Sequence, residues 1–209
     1  MNRKVSIIIP VIRPAKAQRC IGFIRENAGV PCSQYEILTE EDTERIGCPK
    51  MVKRLTDRAK HEMVMFLGDD TLPQKGFLLN ALRAMKRLPD EWGLVGLNDF
   101  AHDGDKTFST HWVASKKLLP YLGGEFFCTQ YIHCYCDLEL TDRCRELGRY
   151  TWAKDAQLLH EHPMLDYPGA GLNPKTDDDY KRVYAPQNKI RDLQVYKKRK
   201  RAGWPNANT

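Results

Sequence analysis

Two adjacent carboxylates, Asp69 and Asp70, stand at the end of a short apolar run, Met63-Val-Met-Phe-Leu67-Gly68. In an open α/β sheet, ligands bind just beyond the carboxyl ends of the parallel strands. Acids at such an end, ahead of Pro73 and a helix-like segment, point to a divalent cation holding a phosphorylated substrate. Mg²⁺ and Mn²⁺ take oxygen ligands from one or two carboxylates and complete the shell with phosphate and water. A strand running into an Asp-rich helix cap produces the same pattern. The alternation His160-Glu161-His162 places both imidazoles on one face of a strand, as in any polar surface strand. An imidazole there is an acceptable ligand for Mn²⁺ and a poorer one for Mg²⁺. Asp137 precedes a helical stretch. It is placed either to take a proton from a hydroxyl or to act as a first-turn acid, and Glu139 and Asp142 are alternatives on the same helix.

The elements that must position these groups alternate. Val5 to Ile9 is a continuous β-branched run, as in a strand buried on both faces, and it ends at Pro10. Helical spacing follows over 14–27, then a second strand at Tyr35 to Thr39 that runs into Glu40-Glu41-Asp42. Pro49 opens a basic amphipathic helix with Met51, Val52, Leu55 and Ala59 on its apolar face. Lys50 and Lys53 lie about one turn apart on it, placed to meet a diphosphate or simply to face water. After the strand Met63 to Leu67 come a helix over 77–88 and a strand over 94–97. Such alternation predicts an α/β fold with a mostly parallel sheet flanked by helices. Further on, the pattern predicts helices over 112–121, 137–147 and 187–196 and a strand over 152–159, with a Pro-, Gly- and Asp-punctuated stretch after Pro163.

The chain has 209 residues, 42% of them hydrophobic, enough for one domain with a core. No apolar run approaches the ~20 residues of a membrane helix, and the N-terminal apolar stretch is too short for a signal peptide. The odd count of seven cysteines fits free thiols in a reducing, cytoplasmic setting better than a disulfide framework. His133-Cys134-Tyr135-Cys136 lacks the paired Cys-x-x-Cys spacing of a zinc site, so buried thiols are the simpler account. The net charge is +6, and much of the excess sits in Lys197-Lys-Arg-Lys-Arg201. That run predicts a solvated basic tail over 197–209 after a single domain over 1–196. It could also supply a phosphate footprint.

Taken together these segments resemble the GT-A glycosyltransferases, most closely family 2. Val5-Ser-Ile-Ile-Ile-Pro10 is similar to the family's opening strand and Pro, and Tyr35-Glu-Ile-Leu leads to acids where the family has nucleotide-binding ones. The stretch 59–70 resembles the strand that leads to the family's aspartate motif. Asp137-Leu-Glu-Leu-Thr-Asp-Arg143, followed by Gly148, resembles the acceptor-side helix that begins with the catalytic aspartate. Leu158-Leu-His160-Glu-His162-Pro163 resembles the late strand with a metal-binding histidine. Two departures stand out: Gly68 occupies the position of the first acid, and Lys53 the position of a common Asn.

The resemblance implies a metal-dependent, inverting transfer of a sugar from a nucleoside diphosphate donor, most simply a UDP-sugar, to a hydroxyl. Asp137 would be the base. Asp70 with His160 or His162 would hold Mn²⁺ or Mg²⁺. Pro10, Glu41, Asp42, Lys50, Lys53 and Asp69 would contact the donor. Compact transferases of this kind occur in bacteriophages, and some modify hydroxymethylated bases in DNA, so the basic balance makes DNA one candidate acceptor. Alternatives are a glycan or protein acceptor, or a non-catalytic nucleotide-sugar or nucleic-acid binding module.

Overall fold

The computed structural model describes residues 3–101, 103–163 and 177–204. Residues 164–176 and 205–209, which include most of the punctuated stretch and the end of the expected tail, lie outside the described residues.

A seven-stranded sheet in the order β2-β1-β3-β6-β5-β7-β4 forms the centre. Strand β1 (Val5–Val11) pairs in parallel with β2 (Tyr35–Glu41) and β3 (Met63–Phe66). Helices α1 (Pro14–Asn27) and α2 (Cys48–Arg58) make the crossovers. The continuous apolar run of β1 is explained by two cores. Val5, Ile7, Ile9 and Val11 pack on one side with α1 and with α3 (Phe77–Met85), and Ile8 packs on the other with α2. Each fully buried side chain of this kind contributes about 1.5–3 kcal/mol of transfer free energy.

Parallel pairing governs this half of the sheet. Antiparallel pairing enters at β6 (Trp112–Ser115), which lies between β3 and β5 (Leu94–Asn98) and runs against both. A helix was expected over 112–121; the structure has a strand followed by a 3₁₀ turn and the single-turn helix α4 (Leu119–Leu122). The reason is a period of two. Val113 faces one core while Trp112 and Ala114 face the other, and the available sheet position overrides local helical preference.

The long strand β7 (Tyr150–His160) runs parallel to β5 and then pairs its last residues with a short strand, β4 (Thr71–Pro73). In that ladder His160 stands opposite Thr71, and the Glu161 amide donates to the Asp70 carbonyl at 2.8 Å. A late strand is thereby tied to the acid pair, Asp69 and Asp70, that follows β3.

Helix α5 (Cys136–Glu146) follows a loop held from below by α7 (Pro186–Arg201). Fully buried Asp192 accepts from the backbone amides of Ile132, His133 and Cys134, at 2.9–3.0 Å. Buried Arg199 makes two 2.8 Å bonds to Glu139, which also accepts from Arg143 and the Tyr131 hydroxyl. The expectation that 197–201 belongs to a solvent-facing tail is corrected here: the helix continues to Arg201, and Arg199 is in the interior. Lys197, Lys198 and Arg201 do face solvent. Between β7 and α7 lies a helix the sequence pattern did not predict, α6 (Asp178–Val183), capped by Asp177. Among the described residues no helix is long and apolar enough to cross a membrane.

Candidate metal and donor site

The carboxyl ends of β1 and β3 open into a cleft of about 990 Å³ including its mouth. Asp69 and Asp70 both reach this cleft, but their surroundings differ. Asp69 accepts from the backbone amides of Ile12 and Arg13 at 2.8 and 2.7 Å, and from the Arg13 guanidinium at 2.9 Å. It therefore shapes the loop between β1 and α1. Burial and the neighbouring Asp70 push its pKa up, against the pull of Arg13. Asp70 faces the Nε2 atom of His160 at 3.4 Å and Arg13 at 3.6 Å. Burial opposes its charge, yet His160, Arg13 and His111 together hold it well below the usual carboxylate range.

Behind His160 stands a second acid, Asp99, which directly follows β5 and is 2% exposed. Its Oδ2 atom lies 3.5 Å from Nδ1 of His160 and 3.6 Å from Nδ1 of His111. The Thr110 hydroxyl donates to the same oxygen, and the Ala101 amide to the other. Two imidazoles outweigh desolvation and keep Asp99 ionised far into acid. Burial pulls His160 down, but Asp70 and Asp99 win and raise it to about 9. His111, 3% exposed, is pushed down by burial against the pull of Asp99. Ligand atoms of Asp99, His111 and His160 all lie within 4.8 Å of one another. Neither Asp99 nor the pairing of His111 with it was read as a site from sequence. Asp99 carries the same signal as Asp69, an acid directly after an apolar strand.

The donor set fits a divalent cation. A carboxylate and an imidazole converge from β3 and β7, and in the ion's absence two carboxylates draw a proton onto His160. A bound ion would supply that positive charge, and the oxygen and nitrogen donors suit Mn²⁺. His162 also lines the cleft, its ring centroid 5.2 Å from that of His160, but it is held by aromatic neighbours. It packs against Tyr180, and its ring nitrogen is 3.3 Å from the Tyr184 hydroxyl. Burial and His160 lower it to about 4.

Asp137 lines the same cleft from the first turn of α5. It is half-buried, its Oδ1 accepts from the Leu138 amide at 2.8 Å, and desolvation lifts its pKa to about 6. Pro10 and Asp42 also line the cleft, and Asp42 holds the amides of Ile46 and Gly47 at 2.8 Å. Glu41 is exposed and outside the lining. Lys50 is exposed on α2, and Lys53 pairs with Asp57 at 2.8 Å; neither reaches the cleft. The helix turns its apolar residue Met51 and its first residue, Cys48, toward the site instead.

Solved structures share this architecture. A mannosyltransferase of Pyrobaculum calidifontis, PcManGT, in complex with GDP-Man and Mn²⁺, superposes with a TM-score of 0.68 at 16% identity, covering 95% of this chain and 65% of that one. The fold is the GT-A fold. S. aureus TarS 1–349 in complex with UDP-GlcNAc superposes at 0.59 with 13% identity, covering 92% of this chain and 70% of that one. Against a longer TarS chain the values are 0.58 and 14%, and this chain spans 35% of its length. No family model matches the sequence, and no curated protein matches it.

Proposed function

We propose that the protein is a metal-dependent glycosyltransferase that moves a sugar from a nucleoside diphosphate sugar to a hydroxyl acceptor with inversion. The observation that carries the reading is the meeting of Asp70 and His160 at the strand ends of a GT-A fold, in one cleft with Asp137. A divalent ion held by Asp70 and His160 would neutralise charge growing on the departing diphosphate. Asp69 and the Arg13 amide fix the loop that borders the donor. Asp137, raised toward neutrality by burial, takes the proton from the acceptor hydroxyl as its oxygen bonds to the anomeric carbon. The carbon–oxygen bond to the diphosphate breaks on the opposite face, so the configuration inverts. Solved proteins of this fold are described with UDP-GlcNAc or GDP-Man, and a UDP-sugar is the donor favoured here.

A hydroxymethylated base in DNA is the acceptor proposed for testing, supported by the net charge of +6 and the solvent-facing Lys197, Lys198 and Arg201. The deciding experiment is calorimetry with UDP- and GDP-sugars, with and without Mn²⁺, followed by donor hydrolysis. Metal-dependent binding and release of the nucleoside diphosphate support the reading. No binding of any nucleotide sugar in the presence of Mn²⁺ refutes it.

A further inference from the structure

Gly68 stands where the resemblance calls for an acid, and the structure shows what fills its place. A Cβ atom added at Gly68 would lie 2.8 Å from Asp70 Oδ1 and 3.3 Å from His111 Nε2. The bare position therefore opens onto one small space bordered by a carboxylate oxygen and an imidazole nitrogen. His160 brings its own Nε2 to the same Asp70 oxygen, at 3.4 Å. The two imidazoles meet edge to face with centroids 4.7 Å apart.

Both rings also turn the same nitrogen away from that space. Nδ1 of each faces Asp99, and Nδ1 of His111 lies 3.0 Å from the Thr110 hydroxyl, which itself donates to Asp99. An imidazole that gives its Nδ1–H to a carboxylate or hydroxyl presents a bare Nε2 lone pair, the arrangement by which buried carboxylates orient metal-binding histidines. Each Asp99 oxygen already accepts one hydrogen bond, from Thr110 or from Ala101, and the acid stands on the Nδ1 side of both rings, so it is placed to orient them.

We propose that His111 is a further ligand of the metal, in the space Gly68 leaves open, and that Asp99 is the positioning residue that aims both imidazoles at it. The proposal rests on the reading of the cleft as a divalent-metal site. Two imidazoles and one carboxylate form a set with open positions for phosphate or water. Such a set favours Mn²⁺, Co²⁺ or Zn²⁺ over Mg²⁺, which prefers oxygen throughout. The chain exchanges an acid for an imidazole and thereby narrows the choice of ion.

The test uses the full chain and the metals alone, without donor. Pulsed EPR of the Mn²⁺ complex counts coordinated imidazole nitrogens, and calorimetry gives Mn²⁺ and Mg²⁺ affinities. Wild type is expected to show two nitrogens and to bind Mn²⁺ more tightly than Mg²⁺. His111→Gln should show one nitrogen and lose about tenfold or more in Mn²⁺ affinity, with Mg²⁺ affinity little changed. Gly68→Ala keeps every ligand but crowds the space, so it should weaken Mn²⁺ binding without unfolding the chain. Asp99→Asn should retain both nitrogens while Mn²⁺ affinity falls about 10–100-fold; a purely structural role would lower the melting temperature and leave affinity alone. One nitrogen in wild type, or two in His111→Gln, overturns the inference while leaving the metal site in place. No Mn²⁺ binding by wild type overturns both.

Discussion

Replacing Asp137 by Asn separates a catalytic carboxylate from a structural one by the sign of a stability change. Asn keeps the shape and the acceptor for the Leu138 amide but cannot ionise. Burial lifts Asp137 from 3.8 to about 6, so its charged form is disfavoured in the folded protein. A group with a raised folded pKa contributes its full stability below the unfolded value and loses it as pH rises through the folded one. The gap corresponds to about 3 kcal/mol when fully developed, and screening through the open cleft brings it to roughly 1–3 kcal/mol. Asp137→Asn should therefore match wild type near pH 4 and exceed it by roughly 1–3 kcal/mol near pH 7.5. Urea denaturation at the two pH values measures this directly. Sugar transfer should fall by about 10²-fold or more with donor affinity near wild type. Wild-type turnover should rise with pH through about 6 and then level off. A first-turn acid that only serves the helix dipole makes the opposite forecast, a loss of about 0.3–1 kcal/mol when its charge is removed. A less stable Asp137→Asn protein at the higher pH, with normal turnover, refutes the assignment.

Asp70→Ala should abolish Mn²⁺-dependent nucleotide binding in calorimetry while leaving the melting temperature near wild type, and His160→Ala should weaken it less completely. Arg199→Met removes two charge-assisted hydrogen bonds to buried Glu139 but leaves those from Arg143 and the Tyr131 hydroxyl, so denaturant unfolding should show a loss of about 1.5–3 kcal/mol. Lys197→Ala, on the exposed face of the same helix, should change stability by less than about 0.5 kcal/mol. If DNA is the acceptor, replacing Lys197, Lys198 and Arg201 by Ala should flatten the salt dependence of duplex binding by about 0.9 per lost phosphate contact. Identical slopes, or no binding at low salt, would leave a glycan or protein as the acceptor.

The first half of the fold was legible because its strands are buried on both faces and its helices carry a clear apolar stripe. Val5–Val11, Pro14–Asn27 and Cys48–Arg58 all fall where period and proline placement put them, within a residue or two. Asp70 and His160 were legible as chemistry, since each ends a strand. Their meeting was expected only through the family resemblance, because pattern alone does not show a three-residue ladder between segments about ninety positions apart. Trp112–Ser115 was misread because four residues carry too little pattern to distinguish a sheet from a helix turn. Arg199 was hidden by its neighbours. Five consecutive cations look uniformly solvated, and only the position of Glu139 singles out the one that turns inward. Lys50 and Lys53 show the converse: a correctly placed helix still chooses which face meets the cleft, and it chose Met51.

The buried Asp192 gives the molecule a timetable. Three backbone amides just ahead of α5 have their acceptor on a helix about sixty residues later in the chain. During synthesis β1 and β3, with the acids Asp69 and Asp70 that follow β3, emerge from the ribosome long before that acceptor does. Until α7 arrives, the loop leading to Asp137 has no partner for those amides and must stay in water. The metal-holding end of the cleft is thus complete in sequence before the end bearing the proposed base, which waits for α7. A chain ended before residue 192 and released from the ribosome should bind cation yet transfer nothing, so a half-made molecule is kept from acting on its substrates.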